Sequence, residues 1–268
     1  MMTGRAAGVL LRVYCVAVLI FLSLPILVAM GVAFGADRIA RFPPRGFSLH
    51  WFAAALTNDT FMGALATSLE VAVLTTLGTI AFGLPAAVAL GRGALPGSAP
   101  LEVFLLSPLT LPGVLFGISM LFFLGATRWG LSWWGLLVAH VVIALPYLLR
   151  TTLAVYRGLD RGLEEAALAL GASPWQAFRY VTLPLLRPGL AAGGLFAFLT
   201  SFDNVPVSIF LTTAQNNTLP VTIMSYLVNQ DFDATVGAIS AIQVTIVLAL
   251  LWLLDRVYGI GRLTSLGA

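Results

Sequence analysis

The sequence predicts an all-α, polytopic membrane protein of about six transmembrane helices. Three observations carry this reading. Of the 268 residues, 59% are hydrophobic and only 9% charged, whereas a soluble domain carries about a quarter charged residues. Mean hydropathy is +0.98. Apolar runs long enough to cross a bilayer recur along the chain, and the charges collect in the short polar stretches between them.

Residues 1–12 hold Arg5 and Arg12. The apolar run 13–35 is too long for a signal-peptide core and lacks a cleavage site, so it reads as an uncleaved first span. Cys15, the single cysteine, lies in this run and is expected to be a buried small apolar residue; one cysteine makes no disulfide within the chain. Residues 36–58 are polar and broken. Ser48 is expected to cap a short helix carrying Trp51 and Phe52 at the outer interface, with His50 interfacial or solvated and no second ligand at metal spacing.

Residues 63–90 form the second span, with Glu70 near its outer end as either an interfacial residue or part of a pathway. A Gly- and Pro-rich loop with Arg92 follows at 91–100. The third span, 103–125, is interrupted by Pro108 and Pro112, and Gly113 and Gly117 form a GxxxG that marks either a cavity wall or close packing. Trp129, Trp133 and Trp134 belong to an outer interface. The fourth span runs to about residue 149. A lone histidine in it, His140, is expected to make interhelical hydrogen bonds rather than to ligate a metal.

The longest stretch that does not read as a span is 163–190. Its first part is Ala- and Leu-rich and favours helix. Gly171 stands where a left-handed C′ residue is needed. Ser173 follows as N-cap, Pro174 takes the first helical position and Gln176 completes a capping box. Pro184 and Pro188 are expected to end this second helix at about residue 181. The prediction is a helix, a glycine turn and a helix at the membrane surface.

The fifth span, 189–211, begins with the small residues Gly189, Ala192, Gly193 and Gly194 and then carries Ser201, Asp203 and Asn204 before Pro206. An Asp inside an apolar run costs about 3 kcal/mol unless it faces water or a partner. These residues either line a translocation path or cap a broken helix at the outer interface. Residues 219–228 are apolar but too short to span, Asp231 and Asp233 follow, and the sixth span is 236–254.

By this topology Arg5, Arg12, Arg92, Arg150, Arg157, Arg161, Arg179, Arg187, Arg256 and Arg262 lie inside, and only Arg38, Arg41, Arg45 and Arg128 lie outside. That bias puts both termini and the 163–190 loop in the cytoplasm. All fourteen basic residues are arginine. Without lysine there is no Walker-A lysine, Schiff-base lysine or lysine general base, so any ATP that drives this protein binds another subunit. The net charge of +3 is spread over loops, with no basic run for nucleic acid.

The loop residues also carry a resemblance. The EAA loop of binding-protein-dependent ABC importer permeases reads E-A-A, three residues, G, nine residues, I-x-L-P. Here Glu165-Ala166-Ala167, Gly171, Val181 in the Ile place and Leu183-Pro184 fit it; Ala169-Leu170 stand where relatives often have an acidic residue. From about 63 to 256 the chain is similar to the permease core of type I ABC importers. FPPRGFSLHWF at 42–52, ALPYLLRTTLAVYRGLD at 144–160 and SFDNVPVSIFL at 201–211 resemble the second permease subunit of spermidine/putrescine-type systems. The pattern is shared with permeases for amino-acid-like and opine compounds.

The resemblance implies the type I ABC importer permease fold in three parts: an N-terminal helix and outer segment (1–62), a permease core (63–256) and a cytoplasmic tail (257–268). It implies a multi-pass protein of the bacterial inner membrane, in contact with lipid. Its partners would be a cytoplasmic ATPase dimer holding ATP and Mg, a second and different permease chain, and a periplasmic solute-binding protein. Glu164, Glu165, Ala166, Ala167, Gly171 and Trp175 would dock the ATPase, and Ser201, Asp203 and Asn204 would lie on the substrate path. Asp203, Asp231 and Asp233 suit a cationic polyamine, although Arg38, Arg41 and Arg45 also lie outside. No catalytic residue, metal or cofactor is expected on this chain. The rivals are a membrane enzyme, which needs paired Asp or a Ser/His dyad at membrane depth, and a stand-alone secondary transporter, which needs an inverted repeat. The sequence has no recognisable nucleophile motif, HExxH or repeat.

Overall fold

The computed structural model describes residues 4–38, 41–93, 96–127, 129–229 and 234–258. Asp231, Asp233, Arg128, Arg262 and nearly all of the 257–268 tail lie outside the described residues. Those described are helical, and the β pairing among them is an isolated antiparallel bridge between Gly35 and Phe47. Among the described residues five helices are long and apolar enough to cross a membrane, or six if one bent pair counts as a span.

One compact unit comprises the chain up to Met62 with Ile223–Ile246. Its first helix, α1 (Gly4–Ala33), has no buried residue in its most apolar stretch. Cys15 is therefore exposed, not buried as expected, because an apolar stretch need not pack against its own chain. The polar segment folds back through Phe34, whose ring stacks on Phe47 at 5.4 Å and meets Phe52 at 4.9 Å. Helix α2 (His50–Leu56) forms where a short helix was expected, but Leu49 is its N-cap; Ser48 instead accepts the His50 N–H at 3.1 Å. His50 sets its ring against Trp51.

The other unit comprises Gly63–Thr222 and the chain from Val247. Helix α3 (Asp59–Gly91) has 33 residues, about 50 Å of helix, and runs four residues beyond the predicted start. Exposed Glu70 lies on it. The predicted third span is not straight. Helix α4 (Ser98–Leu106), a 3-10 turn (Ser107–Thr110) and helix α5 (Gly113–Gly125) are bent by 107°. Leu111 is extended (φ −88°, ψ 132°), as a residue before proline should be. Helix α6 (Trp133–Gly158) continues nine residues past its predicted end.

Helix α7 (Gly162–Ala169) leads through a turn to α8 (Pro174–Ala177), a π turn (Phe178–Thr182) and α9 (Leu183–Phe202). Pro184 and Pro188 do not end the second helix: Pro174–Phe202 is one 29-residue helical run. A proline lacks an N–H and crowds the carbonyl four residues back, which for Pro184 is that of Tyr180. Tyr180 lies in the π turn, whose wider i→i+5 pairing absorbs both defects. The fifth span accordingly starts earlier than predicted and stops at Phe202, before α10 (Ser208–Leu211). Helix α11 (Leu219–Asn229) is too short to span, and α12 (Ala234–Tyr258) is the last apolar helix among the described residues.

Helices α3 and α9 both pack on α6 through glycines. A Cβ on Gly83 would stand 3.2 Å from Leu145, and one on Gly189 2.9 Å from Val155. Without a hydrophobic drive between helices in lipid, this close backbone approach supplies the packing.

Candidate functional site

Two constellations stand at opposite ends of the α8–α9 run. The first is the loop between α6 and α9. Helix α7 ends in a Schellman turn: Gly171 N–H donates to the Leu168 carbonyl and Ala172 N–H to that of Ala167, both at 3.0 Å, with Gly171 at φ +89°. Two residues later the predicted capping box is present. Ser173 Oγ accepts the Gln176 N–H at 3.3 Å, and Gln176 Oε1 accepts the Ser173 N–H at 2.7 Å. Turn and cap together satisfy the backbone groups freed between the two helices, so the loop needs no partner to hold its shape.

The loop's outward side is apolar with one acidic group. Leu170 is 90% and Trp175 67% exposed. Glu165 and Ala166 are exposed, Ala167 is half-buried, and Trp175 packs its ring on Phe178 at 5.5 Å.

Glu164 is grouped with the outward residues by the resemblance, but its carboxylate turns inward. Oε2 pairs with Arg92 at 2.8 Å, and Oε1 accepts from the Thr182 hydroxyl at 2.7 Å. Arg92, at the end of α3, also lies over the Tyr156 ring at 4.4 Å. Arg161 donates to the Arg92 carbonyl at 3.2 Å. Burial alone would lower the Arg92 pKa, but hydrogen bonding to Tyr156 and the charge of Glu164 outweigh it and leave it above its ordinary value. Arg157 pairs with Glu102 through both carboxylate oxygens, fastening α4 to α6. The sequence signal for Arg92 is its place as the lone charge in the Gly- and Pro-rich 91–100 loop.

The second constellation surrounds the end of α9. Asp203 is the exposed C-cap. Asn204 is buried and caps the break: Nδ2 donates to the Thr200 carbonyl at 3.0 Å, and Oδ1 accepts the Val207 N–H at 2.9 Å. Helix α5 comes close here, since a Cβ on Gly117 would stand 2.8 Å from the Pro206 carbonyl oxygen. A cavity of about 210 Å³ is lined by residues including Gly113, Ile143, Tyr147, Thr200, Asn204 and Pro206. The GxxxG glycines thus serve both readings, Gly117 as close packing and Gly113 as cavity wall. Of the three predicted path residues only Asn204 lines this cavity. Thr200 and Tyr147 were not singled out in the sequence, although Tyr147 shares a helical face with His140 and Ile143.

Ser201 points elsewhere. His140 is fully buried, with Nδ1 2.7 Å from Ser201 Oγ and Nε2 3.0 Å from Ser208 Oγ. Ser201 in turn donates to Thr75 Oγ1 at 3.4 Å. With that donor assigned, Nδ1 carries the ring proton and Nε2 accepts from Ser208. His140 is the interhelical hydrogen-bonding group expected, tying α6 to α9, α10 and, through Ser201, α3. The Ser201–His140 pair is not a nucleophile dyad: it is sealed from solvent, and a second serine, not a carboxylate, orients the ring. Among the described residues no group of three His, Cys, Asp or Glu could hold a metal ion.

Residues 79–260 match the family described as the binding-protein-dependent transport system inner membrane component. The chain is 33% identical over 231 residues to the spermidine/putrescine transport system permease protein PotC of Haemophilus influenzae, covering 86% of this chain and 89% of that protein. It is 31% identical over 224 residues to the putrescine transport system permease protein PotI of Escherichia coli K12, covering 80% and 79%. Its fold is like that of a chain in the crystal structure of a bacterial ABC transporter involved in the import of the acidic polysaccharide alginate, with TM-score 0.74, 17% identity and coverage of 96% and 98%. The apolar helices, the pattern from Glu165 to Pro184 and these likenesses agree: the chain belongs to the binding-protein-dependent transport system inner membrane component family and is a permease subunit of an ABC importer.

Proposed function

We propose that this permease imports a polyamine of the spermidine/putrescine class, driven by a cytoplasmic ATPase dimer seated on the α7–α8 loop. The observation that carries the solute is the 33% identity to a spermidine/putrescine permease over 86% of the chain, which favours a polyamine over the amino-acid-like and opine alternatives. The ATPase contact is the outward side of the loop: Glu165, Ala166, Ala167 and Trp175, with Gly171 setting the turn. ATP and Mg belong to the ATPase. A second, different permease chain completes the path, a periplasmic binding protein delivers the solute, and lipid surrounds the spans. Both termini face the cytoplasm, in keeping with the arginine distribution.

The mechanism follows from the helical run. Closure of the ATPase dimer displaces the loop. Pro174–Phe202 is continuous, so the displacement travels about 43 Å along one rod to the break at Asp203–Pro206 beside the cavity. Asp203 and Asn204 meet the solute there, and the cavity changes its opening as the rod tilts. A ligand shifts such an equilibrium only by its differential contact with the two states, so a loop that deformed instead of moving would transmit nothing.

The test is ATP-dependent uptake of labelled putrescine into liposomes holding the permeases, the ATPase and the cognate binding protein, with amino acids and other small solutes as competitors. Polyamine-specific uptake supports the proposal; ATP-driven uptake of another solute alone sinks the polyamine and keeps the importer. In the same system Glu165→Ala should weaken ATPase retention by roughly tenfold, the scale of a hydrogen bond to a charged group. Gly171→Asp puts a side chain at positive φ at a cost of about 1–2 kcal/mol and should leave an inserted but uncoupled permease. Normal ATPase retention and uptake in either variant would refute the docking surface.

A further inference from the structure

We propose that Glu164 is a positioning residue that makes the docking loop and the transmembrane helices move as one body, rather than a contact for the ATPase. The inference rests on the docking reading above and assigns the two adjacent glutamates opposite tasks. Glu165 is exposed on the outward side of α7, whereas Glu164 is half-buried with each carboxylate oxygen already engaged. Its partners sit on the two elements that must receive the motion: Arg92 at the end of α3 and Thr182 in the π turn that begins the α9 run.

Arg92 is held in turn. Its guanidinium lies over Tyr156 of α6 and reaches the Leu159 carbonyl at 3.5 Å, and its own carbonyl accepts from Arg161. Arg161 and Leu159 flank the start of α7, so Arg92 grips the loop at its root while Glu164 grips it one turn further on. One carboxylate thereby joins α3, α6, α7 and α9. Without it, α7 keeps the Arg161 bond to the Arg92 carbonyl at its start but loses its polar tie to Thr182 and the α9 run, and a push on the outward side can swing the loop without tilting α9. The ion pair is sheltered, with 16% and 24% of the two side chains exposed, so it is less screened than a surface pair and removing either partner strands the other.

The experiment uses the full reconstituted importer and reads three quantities: ATPase retained, ATP hydrolysed and putrescine taken up. Glu164→Gln is expected to keep the ATPase bound and hydrolysing while uptake falls about tenfold, so that ATP spent per solute rises about tenfold. Arg92→Gln should do the same. Because the two act through each other, Glu164→Gln with Arg92→Gln should lose no more than the worse single variant. Uptake at the parent level in Glu164→Gln overturns the proposal. So does a variant that loses ATPase, hydrolysis and uptake together, the signature of a docking contact or a misfolded loop. Multiplying losses in the double variant overturn it as well. Glu165→Ala, measured alongside, reports on the docking reading by itself: retention of the ATPase there refutes that reading whatever Glu164 does.

Discussion

Gly193→Ala should lower the melting temperature of the detergent-solubilised permease by about 4–8 °C, while Gly194→Ala one residue on should leave it unchanged or raise it. The added methyl at Gly193 would run into Thr151 Oγ1 and stand 2.8 Å from the Leu148 Cα. The Leu148 contact is backbone of a buried helix, so it yields only if α6 and α9 separate. Thr151 cannot turn aside cheaply, because its hydroxyl is bonded back to the Tyr147 and Leu148 carbonyls at 3.0 Å. Overpacking of this kind costs about 1–3 kcal/mol, more than the ~1 kcal/mol that alanine gains over glycine in helix propensity. At the upper end of that cost, set by a contact against backbone, the net loss of ~2 kcal/mol corresponds to roughly 4–8 °C in a protein of this size. At Gly194 the same methyl meets only Thr76 Cγ2 at 3.4 Å and Ile80 Cδ1 at 3.8 Å, ordinary contacts, so the propensity gain stands alone. Equal melting temperatures for the two variants would show that α6 and α9 do not pack through Gly193.

His140→Leu should cost about 2 kcal/mol and impair uptake although the side chain is fully buried and does not line the cavity. The substitution keeps an apolar body but removes both ring nitrogens, stranding the Ser208 hydroxyl and leaving that of Ser201 only Thr75 at 3.4 Å, in a site closed to water. Each unsatisfied buried group costs about 1–3 kcal/mol. A serine in a helix can turn its hydroxyl back to a carbonyl of the preceding turn, which brings the total toward the lower end. The break between α9 and α10 loses the tie that holds Ser201 and Ser208 on one ring, and that break carries Asp203 and Asn204. His140→Gln keeps one donor and one acceptor and should recover part of the loss. The checks are melting temperature and putrescine uptake. If His140→Leu matches the parent in both, the network does not hold the break.

Features set by neighbours in sequence were legible without coordinates. The glycine turn and capping box between Leu168 and Gln176 depend on residues within five positions, and both formed as the residue types demand. The interruption of 98–125 followed from Pro108 and Pro112, though its angle did not. His140 as a hydrogen-bonding group followed from the rarity of an ionisable residue in an apolar run, but not its partners, which lie 61 and 68 residues away.

The features that local sequence does not reveal share a cause. Pro184 and Pro188 are local helix breakers, yet the helix runs through both; the π turn, where Glu164 receives the Thr182 hydroxyl, takes up the defects at Pro184. Cys15 looked buried because its neighbours are apolar, yet apolar sequence does not say whether protein covers a helix. Ser201 stood beside Asp203 and Asn204 in sequence, but the helix directs it to His140 and away from the cavity that Asn204 lines.

By itself, then, the sequence determined the apolar nature of the spans, the arginine bias and the turns of the 163–190 loop, because composition and short-range backbone preferences act within a few residues. Only the tertiary structure decided that Pro174–Phe202 is one rod, that Glu164 faces in while Glu165 faces out, and which polar side chain meets the cavity. Those outcomes depend on groups tens of residues apart brought within hydrogen-bonding distance, which no local preference encodes.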